Sequence, residues 1–281
     1  MSERIIVSLT TYSKRIANLP TVLDTIFSQT HQPDQVVVNL AYDETIPPVV
    51  QSYIDTHAIE VFRVPDTKVY KKLIPTLKRY PDDCVITIDD DFLYPQDMIE
   101  DLVSTHQRYP NHPVSGNREI FSGMQCHCGC CSLMKADYLG KYMDCIDDDV
   151  IAHCPSDDLV YTYMANLNGY PYVRTRGLYF INMPTYNEGE SYSQSTQEAV
   201  GIYDTFDYLF KRFGAVDDHM ELYVKDKNLS ELLSDINKSH YQDGYQAGIA
   251  YVCSSRTYKM GKILSYPVSL MRSLGALLFK K

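Results

Sequence analysis

Four short apolar runs, Ile5 to Leu9, Val36 to Leu40, Glu60 to Val64 and Val85 to Ile88, punctuate the first ninety residues. They are rich in valine and isoleucine and, in the first, second and fourth, carry no polar-apolar alternation, which is the pattern of strands buried on both faces of a parallel sheet. Between them the apolar positions switch to helical spacing. Leu19, Val22, Leu23, Ile26 and Phe27 follow Pro20's neighbourhood as one such segment, Pro48 to Ile54 is a second, and Asp66 to Leu77 a third that brings several cations before the fourth strand. Strand-helix alternation of this kind predicts an α/β fold with a parallel sheet and right-handed crossovers.

Beyond Pro95 a helix is predicted to about Tyr109, with Met98, Leu102 and Val103 on its buried face, and Pro110 to Pro113 ends it. Val114 to Phe121 reads as a strand, Ser122 to Ser132 as a glycine- and cysteine-rich loop, and Asp144 to Ser156 as an acidic irregular stretch. Asp157 and Asp158 open a helix through Leu167, closed by Asn168-Gly169 and Pro171. Tyr172 to Ile181 suggests another strand, Met183 to Gln197 a polar loop, and the residues to about Gln246 a mixed, helical remainder.

The fourth strand ends in Asp89-Asp90-Asp91. In open α/β sheets ligands bind at the carboxyl ends of the strands, so this is where charged chemistry would be placed. Three crowded carboxylates raise one another's pKa unless a cation sits among them. Mn²⁺ or Mg²⁺ would relieve the repulsion, taking one or two carboxylates and filling its other positions with phosphate oxygens and water. Solvated turn formers are the plainer reading of such a run; the position after a buried strand in a βαβ chain favours the ligand. The chain has neither Gly-x-Gly-x-x-Gly nor a Gly-Lys-Ser/Thr loop, so a diphosphate would have to be held by metal and side chains.

Charge refines this picture. The 281 residues carry a formal net charge of −10, which argues against general nucleic-acid binding. No Asp or Glu follows Asp243, and the last 38 residues contain Arg256, Lys259, Lys262, Arg272, Lys280 and Lys281. Leu270, Leu274, Leu277 and Leu278 share one helical face there, so residues 246–281 form a basic amphipathic tail suited to an anionic membrane surface, with docking on the protein's own core as the competing reading. The start lacks a signal-peptide layout and no apolar stretch could span a bilayer, so the expected location is the cytoplasm, peripheral on the inner face of the membrane through the tail. The eight cysteines would then be reduced thiols. Cys126-His127-Cys128-Gly129-Cys130-Cys131 invites a zinc reading, completed by Cys145, His153 or Cys154, but its donors are crowded compared with paired Cys-x-x-Cys ligands, and buried free thiols are the commoner outcome.

Four stretches in order, Val7 to Ile16, Tyr70 to Pro75, Ile86 to Asp91 with Tyr94-Pro95, and Cys154 to Leu159, resemble the GT-A fold glycosyltransferases, close to the family 2-like enzymes of bacterial surface polysaccharide synthesis. The resemblance implies a GT-A domain over residues 1–245, with a nucleotide-sugar half to about 110 and an acceptor half after it, followed by the tail. It implies an Asp-x-Asp signature in which Asp91 binds Mn²⁺ or Mg²⁺ and Asp89 contacts the ribose or the metal's water shell, with Asp90 between them on the donor side. Thr10 and Asp43 stand where such enzymes hold the nucleotide, although the usual Asp-Gly-Ser after the second strand is absent. Arg15 and Lys72 are the cations that would share the diphosphate charge. Asp158 matches the general base of inverting members and Asp157 its support; helix-dipole stabilisation, with Ser156 as cap, is the plainer reading of that pair. The implied activity is metal-dependent transfer from a nucleoside-diphosphate sugar, a UDP-sugar first among the candidates, to a glycan or lipid-linked acceptor with inversion. The alternatives are a sugar nucleotidyltransferase, which would carry a glycine-rich basic loop after the first strand where this chain has Thr10 to Arg15, and a non-catalytic zinc- or glycan-binding module.

Overall fold

The computed structural model describes residues 3–214 apart from 117, 122–123, 128–130, 176–180 and 183–201. In chain order the strands are β1 (Ile5–Thr10), β2 (Gln35–Ala41), β3 (Glu60–Val64), β4 (Cys84–Ile88), β5 (Phe92–Leu93), β6 (Val114–Ser115), β7 (Arg118–Phe121), β8 (Met124–His127), β9 (Cys131–Met134), β10 (Val173–Arg174) and β11 (Ile181–Asn182). The helices are α1 (Leu19–Phe27), α2 (Pro48–Thr56), α3 (Ile74–Arg79), α4 (Met98–Arg108), α5 (Ala136–Leu139), α6 (Asp148–His153), α7 (Asp157–Leu167) and α8 (Ile202–Phe213), with short 3-10 turns at Ile16–Asn18, Lys68–Lys72 and Gly140–Cys145.

Seven strands form the main sheet in the order β10-β6-β9-β4-β1-β2-β3. β3, β2, β1 and β4 run parallel, as the strand-helix alternation predicts, and β9 enters antiparallel beside β4. Alternation within each strand divides the core into two layers. Val7, Leu9, Val36, Val38, Ile86 and Ile88 pack under α1, α2 and α4, while Ile6, Val37 and Val85 pack under the 3-10 turn, α3 and α5 to α8.

The second half departs from the pattern reading in three places. Ser122 to Ser132 is not simply a loop: β8 pairs with β7 as a hairpin, and Cys131–Met134 is a fully buried strand beside β4. Glycine and cysteine read as loop formers, but strand formation follows the buried surface a segment can cover rather than intrinsic preference. The strand over Val114 to Phe121 is divided, Val114–Ser115 staying in the main sheet while Arg118–Phe121 leaves it for the hairpin. The acidic stretch after Asp144 contains α6, whose N-terminus is capped by Asp147 accepting from the Val150 N–H at 3.0 Å. The predicted helix over Asp66 to Leu77 is a tight 3-10 turn followed by α3, which begins beside Pro75. The polar loop Met183 to Gln197 and the tail 246–281 lie outside the described residues.

α8 is anchored to α6 and α7. Leu209 is buried, the Tyr163 hydroxyl donates to the Gly214 carbonyl, and Arg212 grips Asp147 as a fork at 2.5 and 3.0 Å while also reaching Asp149 at 3.0 Å. The Arg212 hydrogen bonds hold the Asp147 carboxyl down at about 2. Both groups are substantially exposed, so after screening the fork contributes on the order of 0.5–1 kcal/mol. Arg212→Ala should lower the melting temperature by roughly 2 °C at neutral pH. Because the folded-state pKa is depressed, the difference between wild type and variant should be complete above the ordinary Asp value and shrink as pH falls toward 2, which thermal scans across that range would read.

Candidate active site

β4 delivers three aspartates in a row to the carboxyl edge of the sheet, and they divide between two cations. The Asp89 N–H donates to the Tyr94 hydroxyl at 2.7 Å, fixing the backbone as it leaves the strand, and its side chain accepts from Lys72 Nζ at 2.9 Å. Asp90 turns inward, its side chain 8% exposed, and meets Arg15 Nη2 at 2.5 Å. Asp91 meets the same guanidinium nitrogen at 2.8 Å.

Arg15 reaches this position because the turn after β1 folds back on itself, with the Arg15 and Ile16 N–H groups both donating to the Tyr12 carbonyl at 2.8 Å. Its guanidinium is buried against the carboxylates rather than solvated. Burial pushes Asp90 up to about 6 against the opposing pull of Arg15. Burial and then the Asp89 charge push Asp91 upward as well.

Lys72 is the second cation. Its ammonium, 4% exposed, lies 2.9 Å from Asp89 and 3.2 Å from Asp157 at the start of α7. Burial works against its charge, but the carboxylates of Asp157, Asp89 and Asp158 outweigh burial and hold its pKa well above the ordinary lysine value. A buried polar knot fixes the backbone beneath it: Ser8 Oγ donates to the Lys72 carbonyl at 2.6 Å and lies 2.7 Å from Thr76 Oγ1, and Asn39 Nδ2 donates to both hydroxyls at 3.1 and 3.0 Å. Two residues earlier, the Tyr70 hydroxyl donates to the Cys154 carbonyl at 2.6 Å, tying the same turn to the segment that enters α7. Lys68 and Lys71, its neighbours, both turn away to Asp66.

Asp157 is buried and Asp158 half-buried at the next helical position. Ser156 makes no side-chain capping hydrogen bond, so the capping reading of this turn is not what the geometry shows for the serine. Burial raises the pKa of Asp157 against the pull of Lys72. Asp158 is close enough for its charge to act on Lys72 and on the half-buried Tyr172.

The structure thus gathers Arg15, Lys72, Asp89, Asp90, Asp91, Asp157 and Asp158. Thr10 lies beside them at the end of β1, its hydroxyl donating to the Asn39 carbonyl at 2.7 Å. Asp43 stands exposed in the turn after β2, and no contact among the described residues joins it to the cluster. His153 is not drawn in either: it stacks on Tyr208 at 4.5 Å and its Nδ1 lies 2.9 Å from the Asp149 carbonyl. Among the described residues Cys131, Cys145, Cys154 and His153 form no cluster of three metal donors, and the side chains of Cys126 to Cys130 lie outside the description. Asp89 and Asp91 retain 32% and 19% side-chain exposure. They are the carboxylates open to a ligand, and hard oxygen donors of this kind suit Mg²⁺ or Mn²⁺. Ser8, Asn39, Tyr70, Thr76 and Tyr94 carry the support, and the sequence reading gave none of them a role. Ser8 and Asn39 were detectable as polar interruptions of otherwise apolar strands.

The sequence matches no protein-family model and no curated protein. Among solved structures, the mannosyltransferase PcManGT from Pyrobaculum calidifontis, in complex with GDP-Man and Mn²⁺, aligns over 96% of this chain and 81% of its own with a TM-score of 0.58 at 16% identity. Weaker alignments reach S. aureus TarS, with a TM-score of 0.46, 12% identity and 65% of this chain against 60% of that one. Glucosyl-3-phosphoglycerate synthase from Mycobacterium tuberculosis follows at 0.33 and 17%, over 41% and 43%. Seven strands in this order, carrying acidic residues at the end of β4 and superposing on the first of these across nearly the whole chain, give the protein the fold of the GT-A glycosyltransferases.

Proposed function

We propose that this chain is a metal-dependent glycosyltransferase that moves a sugar from a nucleoside-diphosphate donor to a glycan or lipid-linked acceptor with inversion. The observation that carries the reading is the convergence, across one buried lysine, of Asp89 at the end of β4 with Asp157 at the start of α7. The GT-A fold supports it, since in open α/β folds ligands lie at the carboxyl ends of the strands. The mannosyltransferase of the same fold holds GDP-Man and Mn²⁺.

Asp91 and Asp89 would hold Mn²⁺ or Mg²⁺, which when bound supplies Lewis-acid stabilisation of the departing diphosphate. Arg15 and Lys72 are placed to share that charge, Arg15 as a fork and Lys72 as a point charge. Thr10 offers its hydroxyl oxygen at the end of β1 to the nucleotide, and Asp43, exposed in the turn after β2, is a nucleotide contact on the resemblance alone. Asp158 takes the proton of the acceptor hydroxyl as that oxygen attacks the anomeric carbon. Asp157, pinned by Lys72, positions the first turn of α7 and with it Asp158. The donor is proposed as a UDP-sugar, with GDP-sugars the nearest competitors. The tail 246–281 is proposed to bring the enzyme to an anionic membrane surface where a lipid-linked acceptor would be found; no helix among the described residues is long and apolar enough to cross a membrane.

Release of nucleoside diphosphate from UDP-, GDP- and dTDP-sugars, measured with Mn²⁺ or with EDTA, tests the activity. One donor should be turned over, only with metal, and Asp91→Asn should abolish it; Asp158→Asn should retain donor binding but lose transfer to acceptor by a factor on the order of 10²–10⁴. Turnover of no donor by the metal-loaded wild type would refute the proposal.

Stability separates the two kinds of charge. Lys72→Met strands Asp89 and Asp157 without their cation and should cost about 3–5 kcal/mol in denaturant unfolding. Asp91→Asn relieves repulsion in the metal-free protein and should leave stability unchanged or raised. If both variants were equally destabilised, Lys72 would not be the cation on which the cluster depends.

A further inference from the structure

At the opposite end of the sheet, a second set of donors meets. Glu3, the residue preceding the Arg4 that leads into β1, Cys84, the first residue of β4, and His106 in the last turn of α4 bring one ligand atom each to within 4.8 Å of the others. Cys84 Sγ and His106 Nε2 each lie 3.4 Å from Glu3 Oε2. A tetrahedral Zn²⁺ with ordinary bond lengths requires sulfur-oxygen and nitrogen-oxygen separations of about 3.3–3.6 Å between its ligands. Two of the three edges already have that length, and the sulfur-nitrogen pair lies within 4.8 Å.

The surrounding contacts orient the histidine and the carboxylate. The Tyr138 hydroxyl gives its proton to the Pro110 carbonyl at 2.9 Å, and its oxygen lies 3.4 Å from His106 Nδ1. That oxygen can accept from Nδ1–H, the tautomer that leaves Nε2 free to coordinate a metal; in the other tautomer Nε2–H donates to the Glu3 carboxylate. Lys135 Nζ meets the other Glu3 oxygen, Oε1, which orients the carboxylate and leaves Oε2 to coordinate. Tyr138 and Lys135 thus touch the far sides of the histidine and the carboxylate, as the groups that orient metal ligands ordinarily do.

We propose that Glu3, Cys84 and His106 bind Zn²⁺, with water as the fourth ligand. A thiol, an imidazole and a single carboxylate oxygen suit zinc, whereas the all-carboxylate set after β4 suits Mg²⁺ or Mn²⁺. On binding, the Cys84 proton leaves to solvent and the thiolate takes its place on the metal. The parallel direction of β1 and β4 puts this site at their amino ends, about 16 Å of strand away from Asp89. Its role is structural: one ion ties the chain entering β1 to β4 and to α4, independently of any donor-sugar chemistry.

Co²⁺ and Zn²⁺ alone, added to the full-length protein after chelation and dialysis, test it. The expected result is one equivalent of Co²⁺ with a thiolate charge-transfer band, displaced by Zn²⁺, together with a Zn²⁺-dependent rise in melting temperature. Cys84→Ser should abolish the band, and His106→Gln, which keeps the thiol, should weaken binding at least tenfold. The double variant Cys126→Ser with Cys128→Ser should behave as wild type, and Mn²⁺-dependent donor turnover should survive Cys84→Ser. No thiolate band, a band that survives Cys84→Ser, an affinity unchanged in His106→Gln, or loss of the band in the Cys126/Cys128 variant would overturn the proposal.

Discussion

Everything at the carboxyl edge depends on how two buried cations divide the negative charge that β4 and α7 bring together. Asp89, Asp90, Asp91, Asp157 and Asp158 gather around Arg15 and Lys72, so five carboxylates and two cations leave three negative charges when all are ionised. Like charges 4 Å apart near a protein surface repel by roughly 4 kcal/mol. Neither cation alone could hold the group. Arg15 spans Asp90 and Asp91, which are neighbours in sequence; Lys72 spans Asp89 and Asp157, which are not. The first pairing shapes a loop, and the second locks a helix to a strand. The excess of negative charge at this edge is the setting in which the divalent cation proposed above would bind.

The two-faced sheet explains why the site forms on this side. On the face packed under the 3-10 turn and α7, the residues nearer the amino ends are Ile6, Val37 and Val85, and one strand position pair further on they become Ser8, Asn39 and Thr87. The core turns polar toward the carboxyl edge, and only there does Lys72 find partners for its backbone carbonyl. On the other face Val7, Leu9, Val38, Leu40, Ile86 and Ile88 stay apolar to the end. A buried lysine is tolerable where its turn is tied down and its ammonium paired, and this face supplies both.

The parallel core was legible in the sequence because Val and Ile runs separated by helical spacing have few other ways to bury themselves. The residues Asp89 to Asp91 could be placed at a strand end for the same reason. Ser122 to Ser132 was illegible because Cys131 and Ser132 are ordinary loop residues until β4 and β6 flank them; the information lies in the partners, not the segment. Lys72 was legible as a cation near the site, but its bridging of Asp89 and Asp157 was not, since those contacts span 17 and 85 positions of chain and depend on Ser8 and Asn39 fixing the turn. Nor did sequence spacing connect Glu3, Cys84 and His106, which meet only because β1 and β4 are neighbours and α4 packs back across them.

The pair at the start of α7 shows how adjacency in sequence becomes division of labour. Successive residues on a helix point about 100° apart, so when Asp157 is turned inward to Lys72 its neighbour must face elsewhere, and Asp158 is left half-buried at the rim. Both sit in the first turn, where the helix dipole favours their charge. Were dipole stabilisation the whole explanation, neither would need burial, and a serine cap at Ser156 would serve as well. Instead the cap is not used and one carboxylate is taken out of water against a lysine, an arrangement that costs desolvation and gives little stability beyond a polar alternative. What it does fix is the first turn of α7 relative to Asp89, and the role proposed for Asp158 rests on that placement.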